Sequence, residues 1–304
     1  MKEKLIVILG PTAVGKTRFA VRLADKFNGE IISADSRQVY KHMDIGTGKD
    51  LNDYKIGDRE IPYHLIDIIE PTEEFDLFHF RKLFKDAFEK ITFKNHVPLL
   101  VGGTGLYIHS VLKNYKMSEV EFDTVRHKEL EQLSIEKLRA IVIEKIPNAH
   151  NTTDLIEKAR MIKAIMIAEQ KELTVKDEDL DFSTLVIGLK DNREKVKENI
   201  TKRLKQRLQN GMIEEVEDLI RSGITHEKLD FFGLEYKFIG RYLKGELNYN
   251  DMYQKLNGAI HKFAKRQMTW FRKMEREGIV IHWIEKENED EAYSLVENFL
   301  DADS

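Results

Sequence analysis

Residues 10–17 read Gly10-Pro11-Thr12-Ala13-Val14-Gly15-Lys16-Thr17, the composition and spacing of a glycine-rich loop that wraps phosphate. Successive backbone N–H groups at a helix start form an anion cradle. Lys16 adds a charge able to bridge phosphates, and Thr17 offers a hydroxyl to a magnesium ion. A second polar group follows, Asp35-Ser36-Arg37-Gln38-Val39-Tyr40, with Met43-Asp44-Ile45-Gly46-Thr47 close behind. A carboxylate beside a phosphate cradle can bind metal or accept a proton from an attacking nucleophile. An amide such as Gln38 can read a base edge, while Asp35-Ser36 also suits plain helix capping. A phosphate-loop hydrolase needs a magnesium-binding acid after an apolar strand, but the run at 99–101 leads into Gly102-Gly103-Thr104-Gly105. Asp67, inside another apolar run, is the remaining candidate, although an acid there is more often structural. Glycines with a threonine hydroxyl instead suit a second contact with a diphosphate, so the loop is expected to hold a leaving group.

Short strands and helices must position these groups. Residues 5–9 are an apolar run of strand length, and Phe19, Leu23 and Phe27 line one face of a following helix that Asn28-Gly29 ends. Residues 30–35 read as a second strand delivering Asp35 to its C-terminal end, where open parallel sheets bind ligands. Residues 64–69 read as a third strand closed by Pro71, 75–94 as a helix, and 97–101 as a fourth strand before a helix from Leu106. This alternation predicts a parallel sheet with helices on both faces. Strand signals vanish from 114 to 181, where 136–146 and 154–170 look helical, and return at 185–189. Three segments follow: a first part of the core at 1–114, a helical insertion at 115–182, and the rest of the core at 183–304. Asp191 with Glu194 is expected to cap one late helix, with Gly211 interrupting or ending it, and Asn250 another that runs to about 277.

The 304 residues, 41% of them apolar, are enough for a packed core. No stretch reaches the length of a membrane span, and the charged start leads into a strand-like run unlike a secretory signal, so a cytoplasmic protein is expected. The absence of cysteine excludes disulfides, thiolate catalysis and cysteine-based zinc sites. The net charge of −4 hides an asymmetry. Residues 261–276 hold six basic residues against Glu275, and 285–304 hold eight acids against Lys286.

Four motifs in this order and spacing resemble the tRNA dimethylallyltransferases, also called tRNA isopentenyltransferases. They are residues 10–17; Ala34 to Tyr40 with Met43 to Thr47; Pro98-Leu99-Leu100-Val101-Gly102-Gly103-Thr104; and Ala264-Lys265-Arg266-Gln267-Met268-Thr269-Trp270-Phe271-Arg272. The resemblance spans nearly the whole chain and implies a P-loop NTPase-like α/β fold with an all-helical lobe. It implies transfer of a dimethylallyl group from its diphosphate to the N6 amine of the adenosine 3′ of a tRNA anticodon, with Mg2+. On this pattern Gly10 to Thr17 hold the donor, Thr17 the metal, and Lys16 and Thr104 the departing diphosphate, while Asp35 takes the amine proton. Ser36, Arg37, Gln38 and Thr104 would hold the acceptor base. Arg126, Arg160 and Lys163 in the insertion, with Lys262, Lys265, Arg266 and Gln267 in the basic helix, would grip the anticodon stem-loop around an extruded base. A monomer is expected. Departures from the family pattern, Ile156-Glu157-Lys158, Glu235 before Tyr236, and Ile260-His261, all fall on the acceptor side. An adenylate isopentenyltransferase using free AMP or ADP shares the donor chemistry; a small-molecule kinase follows from the loop alone, and a non-catalytic RNA-binding module from the basic helix alone.

Overall fold

The computed structural model describes residues 2–115, 123–145, 158–170 and 180–302. The chain forms two compact units, one from residues 1–114 and 180–304, the other from 115–179.

In the larger unit a six-stranded parallel sheet has the order β5-β2-β6-β1-β7-β8, formed by β1 (Glu3–Leu9), β2 (Gly29–Ala34), β5 (Tyr63–His64), β6 (Val97–Gly102), β7 (Phe182–Lys190) and β8 (His282–Glu285). The α/β expectation holds. Side chains alternate between two cores because strand neighbours face opposite ways. Leu5, Val7 and Leu9 join Ile32 and Leu100 on one face, while Ile6 and Ile8 join Ile31 and Leu99 on the other. The first face is covered by α2 (Leu77–Phe93), α3 (Gly105–Leu112) and the late helices α7 (Arg193–Gln209), α8 (Met212–Arg221), α9 (His226–Phe232), α10 (Leu234–Leu243) and α11 (Tyr249–Arg276). The second is covered by α1 (Lys16–Lys26) and α12 (Glu289–Asp301). A 3₁₀ turn at Leu51–Tyr54 and a small ribbon of β3 (Lys55–Ile56) and β4 (Arg59–Glu60) lie between β2 and β5.

Several elements differ from the sequence reading. The expected strand at 64–69 is extended only at Tyr63–His64. Leu65 and Asp67 then turn left-handed, at φ 63° and 54°, and Asp67 bonds the buried ammonium of Lys49. That pairing gives Asp67 a structural partner. Asn192 caps α7 through the Glu194 amide at 2.8 Å, while Asp191 bonds the Asn192 amide. Asn248, accepting from the Asp251 amide at 2.9 Å, caps α11 in place of Asn250. The acidic tail follows β8 and carries α12, whose Ala292 and Val296 are buried against the sheet while Arg22 pairs with Glu289.

The smaller unit holds α4 (Thr124–Glu131), α5 (Ile135–Lys145) and α6 (Lys158–Gln170) around Leu130, Leu138, Val142, Met161, Ile162, Ile165 and Met166. Residues 154–157, expected to begin α6, lie outside the described residues.

Candidate active site

The phosphate loop joins β1 to α1 in backbone conformations that favour glycine. Gly10 at φ 154° lies so close to β7 that a Cβ would fall 2.6 Å from the Leu189 carbonyl oxygen, and Gly15 at φ 99° opens α1 with no side-chain cap. The first amides of a helix have no intrahelical acceptor, so those of α1 are left for a ligand. Thr12, Ala13, Gly15, Lys16 and Thr17 line a cavity of about 1050 Å³. Gly10 and Pro11 are buried, and Val14 sends its side chain into the second core, so it can offer the cavity only backbone. Lys16 Nζ donates to the Pro11 carbonyl at 2.9 Å. Burial, then the nearby Arg203, push the Lys16 pKa down to about 8, with Asp35 opposing them.

Arg203 went unread in the sequence. It reaches from α7 to donate to Thr12 Oγ1 at 2.6 Å, and burial and then Arg207 lower its pKa to about 10. Two buried cations close to each other, each with its charged form disfavoured by burial and by a cationic neighbour, form a receptor for an anion. Arg203 and Arg207 stand four apart, on the face of α7 that buries Ile200 and Leu204. That spacing was the available signal.

A second cavity, of about 630 Å³, shares Asp35, Thr12, Thr47, Gly103, Phe263, Gln267, Arg203 and Arg207 with the first. Its other walls are Ser36, Arg37, Thr104, Leu106, Phe231, Phe232, Leu234, Ile260, Arg266 and Trp270, among others. Asp35 therefore sits at the junction, and its Oδ1 accepts from the Arg37 amide at 2.9 Å. Thr104 Oγ1 accepts from the Ser36 amide at 3.2 Å, leaving its own O–H to donate. It lines the second cavity next to Gly103, which lines both. The Arg37 guanidinium lies 4.6 Å from the Phe231 ring centre, and burial lowers its pKa.

The two glycine-rich turns are tied together by Gln267. This residue, read as an RNA contact, is 7% exposed. Its Oε1 accepts from the Thr12 amide at 2.8 Å and its Nε2 donates to the Gly103 carbonyl at 2.9 Å. A Cβ on Gly103 would lie 2.3 Å from that Nε2, so a side chain there would push the amide off its two bonds. Gln38 is similarly committed: its Oε1 accepts from Ser33 Oγ at 3.0 Å and its Nε2 donates to the Gly48 carbonyl at 3.2 Å.

The other expected RNA contacts divide by position. Arg266 is exposed and lines the second cavity, whereas Lys262 and Lys265 are exposed and line neither. Arg126 is committed inside the helical unit, donating to both oxygens of Glu169 at 2.9 and 2.8 Å and to Glu129 at 2.8 Å, which leaves little of its donor set for RNA. Lys163 is exposed on α6; Arg160 belongs to the same helix, and its side chain lies outside the described residues.

For a divalent cation, the loop cavity offers the Thr17 hydroxyl with the carboxylates of Asp35, Asp50 and Asp53, Asp53 being paired with Arg18 at 3.0 Å. Among the described residues no cluster of three or more acidic, His or Cys side chains could hold a metal alone. Sparse oxygen ligands fit an ion completed by waters and substrate phosphate, as magnesium is commonly held.

The IPP transferase family matches residues 38–274, and the isopentenyl transferase family matches residues 3–61. The chain is 52% identical over 285 residues to tRNA dimethylallyltransferase 1 of Geotalea uraniireducens (strain Rf4), covering 94% of this chain and 93% of that one. It is 51% identical over 291 residues to tRNA dimethylallyltransferase 2 of Citrifermentans bemidjiense, covering 96% and 94%. The chain belongs to the tRNA dimethylallyltransferase family. It is thus a transferase. Among solved members, the full-length tRNA isopentenylpyrophosphate transferase of Bacillus halodurans is 31% identical with a TM-score of 0.70, covering 99% of this chain and 98% of that one. A eukaryotic dimethylallyltransferase acting on tRNA shares the fold at 23% identity and a TM-score of 0.78, covering 98% and 80%. No helix among the described residues is long and apolar enough to cross a membrane.

Proposed function

We propose that this chain transfers the dimethylallyl group of dimethylallyl diphosphate to the N6 amine of the adenosine 3′-adjacent to the anticodon in tRNA, releasing diphosphate, as a cytoplasmic monomer that uses Mg2+. The observation that carries this reading is the place of Asp35, on the walls of both a cation-lined cavity and an aromatic-lined one. The donor's diphosphate lies against the α1 amides, Lys16, Thr17 and Arg203. The acceptor adenine enters the second cavity beside Ser36, Arg37 and Thr104.

In the transfer the allylic C–O bond breaks and a C–N bond forms. The bonding electrons of the broken bond leave with the diphosphate, and one N6 proton passes to the Asp35 carboxylate. Asp35 orients an amine that is a feeble nucleophile in water. Lys16, Arg203 and the loop amides stabilise the charge growing on the leaving oxygen. A magnesium ion, when bound, shares that charge, with Thr17 as its protein ligand. Aromatic walls such as Trp270 and Phe263 offer stacking to a base removed from its own stack.

The test is mass spectrometry of nucleosides from unmodified tRNA incubated with protein, magnesium and dimethylallyl diphosphate, with AMP in a parallel reaction. N6-dimethylallyladenosine in the tRNA is expected. Product from AMP alone would make the acceptor a free nucleotide, and no product from either would end the proposal.

A further inference from the structure

Residues 285–304 hold a single base, Lys286, and it lies against the phosphate loop. Lys286 follows β8, which runs parallel to β7 with Glu285 opposite Lys190. Its amide donates to the Lys190 carbonyl at 3.1 Å, which fixes its backbone at the C-terminal edge of the sheet, where the loop also begins. The side chain then reaches the loop itself. A Cβ on Gly15 would stand 3.4 Å from Lys286 Cε and 3.7 Å from Nζ, and Lys286, although exposed, lines the loop cavity.

Among the described residues the Lys286 ammonium has no carboxylate partner. The acids beside it in sequence are engaged elsewhere: Glu285 with Lys190 at 3.4 Å, Glu287 with Lys195 at 3.0 Å and Glu289 with Arg22 at 2.8 Å. Two other cations on the cavity wall are taken as well, Arg18 by Asp53 and Arg22 by Glu289. Lys16 and Arg203 serve the cavity from positions withdrawn from water, where burial disfavours their charged forms. Lys286 stands on the solvent side of the same loop. A charge placed there attracts an anion as it arrives.

We propose that Lys286 is a further donor-binding residue, its ammonium taking the terminal phosphate of the prenyl diphosphate across the first turn of α1 and keeping hold of the diphosphate after transfer. This rests on the reading that the donor's diphosphate lies at the loop. The terminal phosphate bears no bond that breaks in the reaction, so a contact with it is much the same before and after the chemical step. Such a contact strengthens binding without lowering the barrier. Lys286 therefore differs in kind from Lys16, which faces the charge that grows on the leaving oxygen.

The experiment uses the full chain as wild type, Lys286→Ala, Lys286→Glu and Lys286→Arg. Calorimetric titration with inorganic diphosphate and magnesium at low and high salt is combined with KM for donor and for RNA, kcat and the melting temperature. Loss of one exposed charge in Lys286→Ala is expected to weaken diphosphate binding and raise donor KM by about three- to fivefold, more in Lys286→Glu, while Lys286→Arg stays near wild type. The salt dependence of diphosphate binding should flatten in Lys286→Ala, with kcat, RNA KM and melting temperature unmoved. Diphosphate affinity equal to wild type in Lys286→Ala and Lys286→Glu would overturn the proposal, as would a loss that appears equally in RNA KM or falls on kcat alone. If the wild type binds no diphosphate, the donor site itself is misplaced and the proposed function falls with it. If the wild type binds diphosphate and prenylates RNA while the variants match it, the role of Lys286 alone falls.

Discussion

The two cavities that meet at Asp35 are made in different ways from different materials. The loop cavity takes its backbone amides and Lys16 from one continuous stretch, residues 12–17, with Arg203 and Arg207 of α7 among its distant additions. The second cavity gathers single residues from the ends of β2 and β6, from α9 and α10, and from one face of α11, and its walls are rich in rings. Phosphate recognition needs backbone amides at a helix start, which a local motif can encode. Holding a base needs flat apolar surfaces facing each other, which only tertiary packing brings together.

Substitutions should separate the two. Lys16→Ala removes a charged donor worth about 1.5–3 kcal/mol, so donor KM should rise roughly 10–100-fold while RNA affinity holds; steady-state kinetics with each substrate varied decide it. An equal loss on the RNA side would merge the two cavities into one site. Trp270→Ala should do the converse, because stacking of a base on an aromatic ring is worth about 1–3 kcal/mol: RNA KM rises and donor KM does not. Donor binding in the loop cavity should also respond to pH. The Lys16 pKa stands at about 8 in the free protein, and a bound anion favours the charged form, so donor affinity is full below that pH and falls as pH rises through it. Arginine at this position stays charged; a pH profile of kcat/KM for the donor should lose its basic limb in Lys16→Arg.

Smaller effects probe how the cavities are joined and what lies beyond them. Gln267→Ala leaves the Thr12 amide and the Gly103 carbonyl without their partner. A loss of about 1–3 kcal/mol should appear as a melting point lowered by several degrees, with both KM values rising together. The paired change Lys262→Ala with Lys265→Ala should alter RNA affinity by only about 2–5-fold and flatten its salt dependence. Donor kinetics unchanged alongside it would keep these lysines on the RNA side alone.

Legibility followed the same division. The runs at 5–9 and 97–101 are apolar on both faces, as buried parallel strands must be, and the loop between β1 and α1 is contiguous, so sheet and phosphate loop could be read directly. The run at 64–69 has similar composition but is not a strand after His64, because Asp67 turns toward Lys49, a lysine whose burial no local pattern signals. Gln267 looked like part of a basic surface since its neighbours Lys265 and Arg266 are exposed, yet one residue further along the helix places it inside. Arg203 and Arg207 sit in a helix dense with lysine and arginine, where inward and outward cations differ only by their phase against Ile200 and Leu204. Arg126 read as a free cation because its partner Glu169 lies 43 residues away.

Asp35 is the group proposed to join donor and acceptor, and the most direct measurement is single-turnover prenylation by Asp35→Asn with donor and RNA affinities determined in parallel. The amide keeps the size of the side chain but cannot take the proton. The predicted result is a rate lowered by about 10²-fold or more with both affinities close to wild type. A near-normal rate would remove Asp35 from the proton-accepting role and contradict the account.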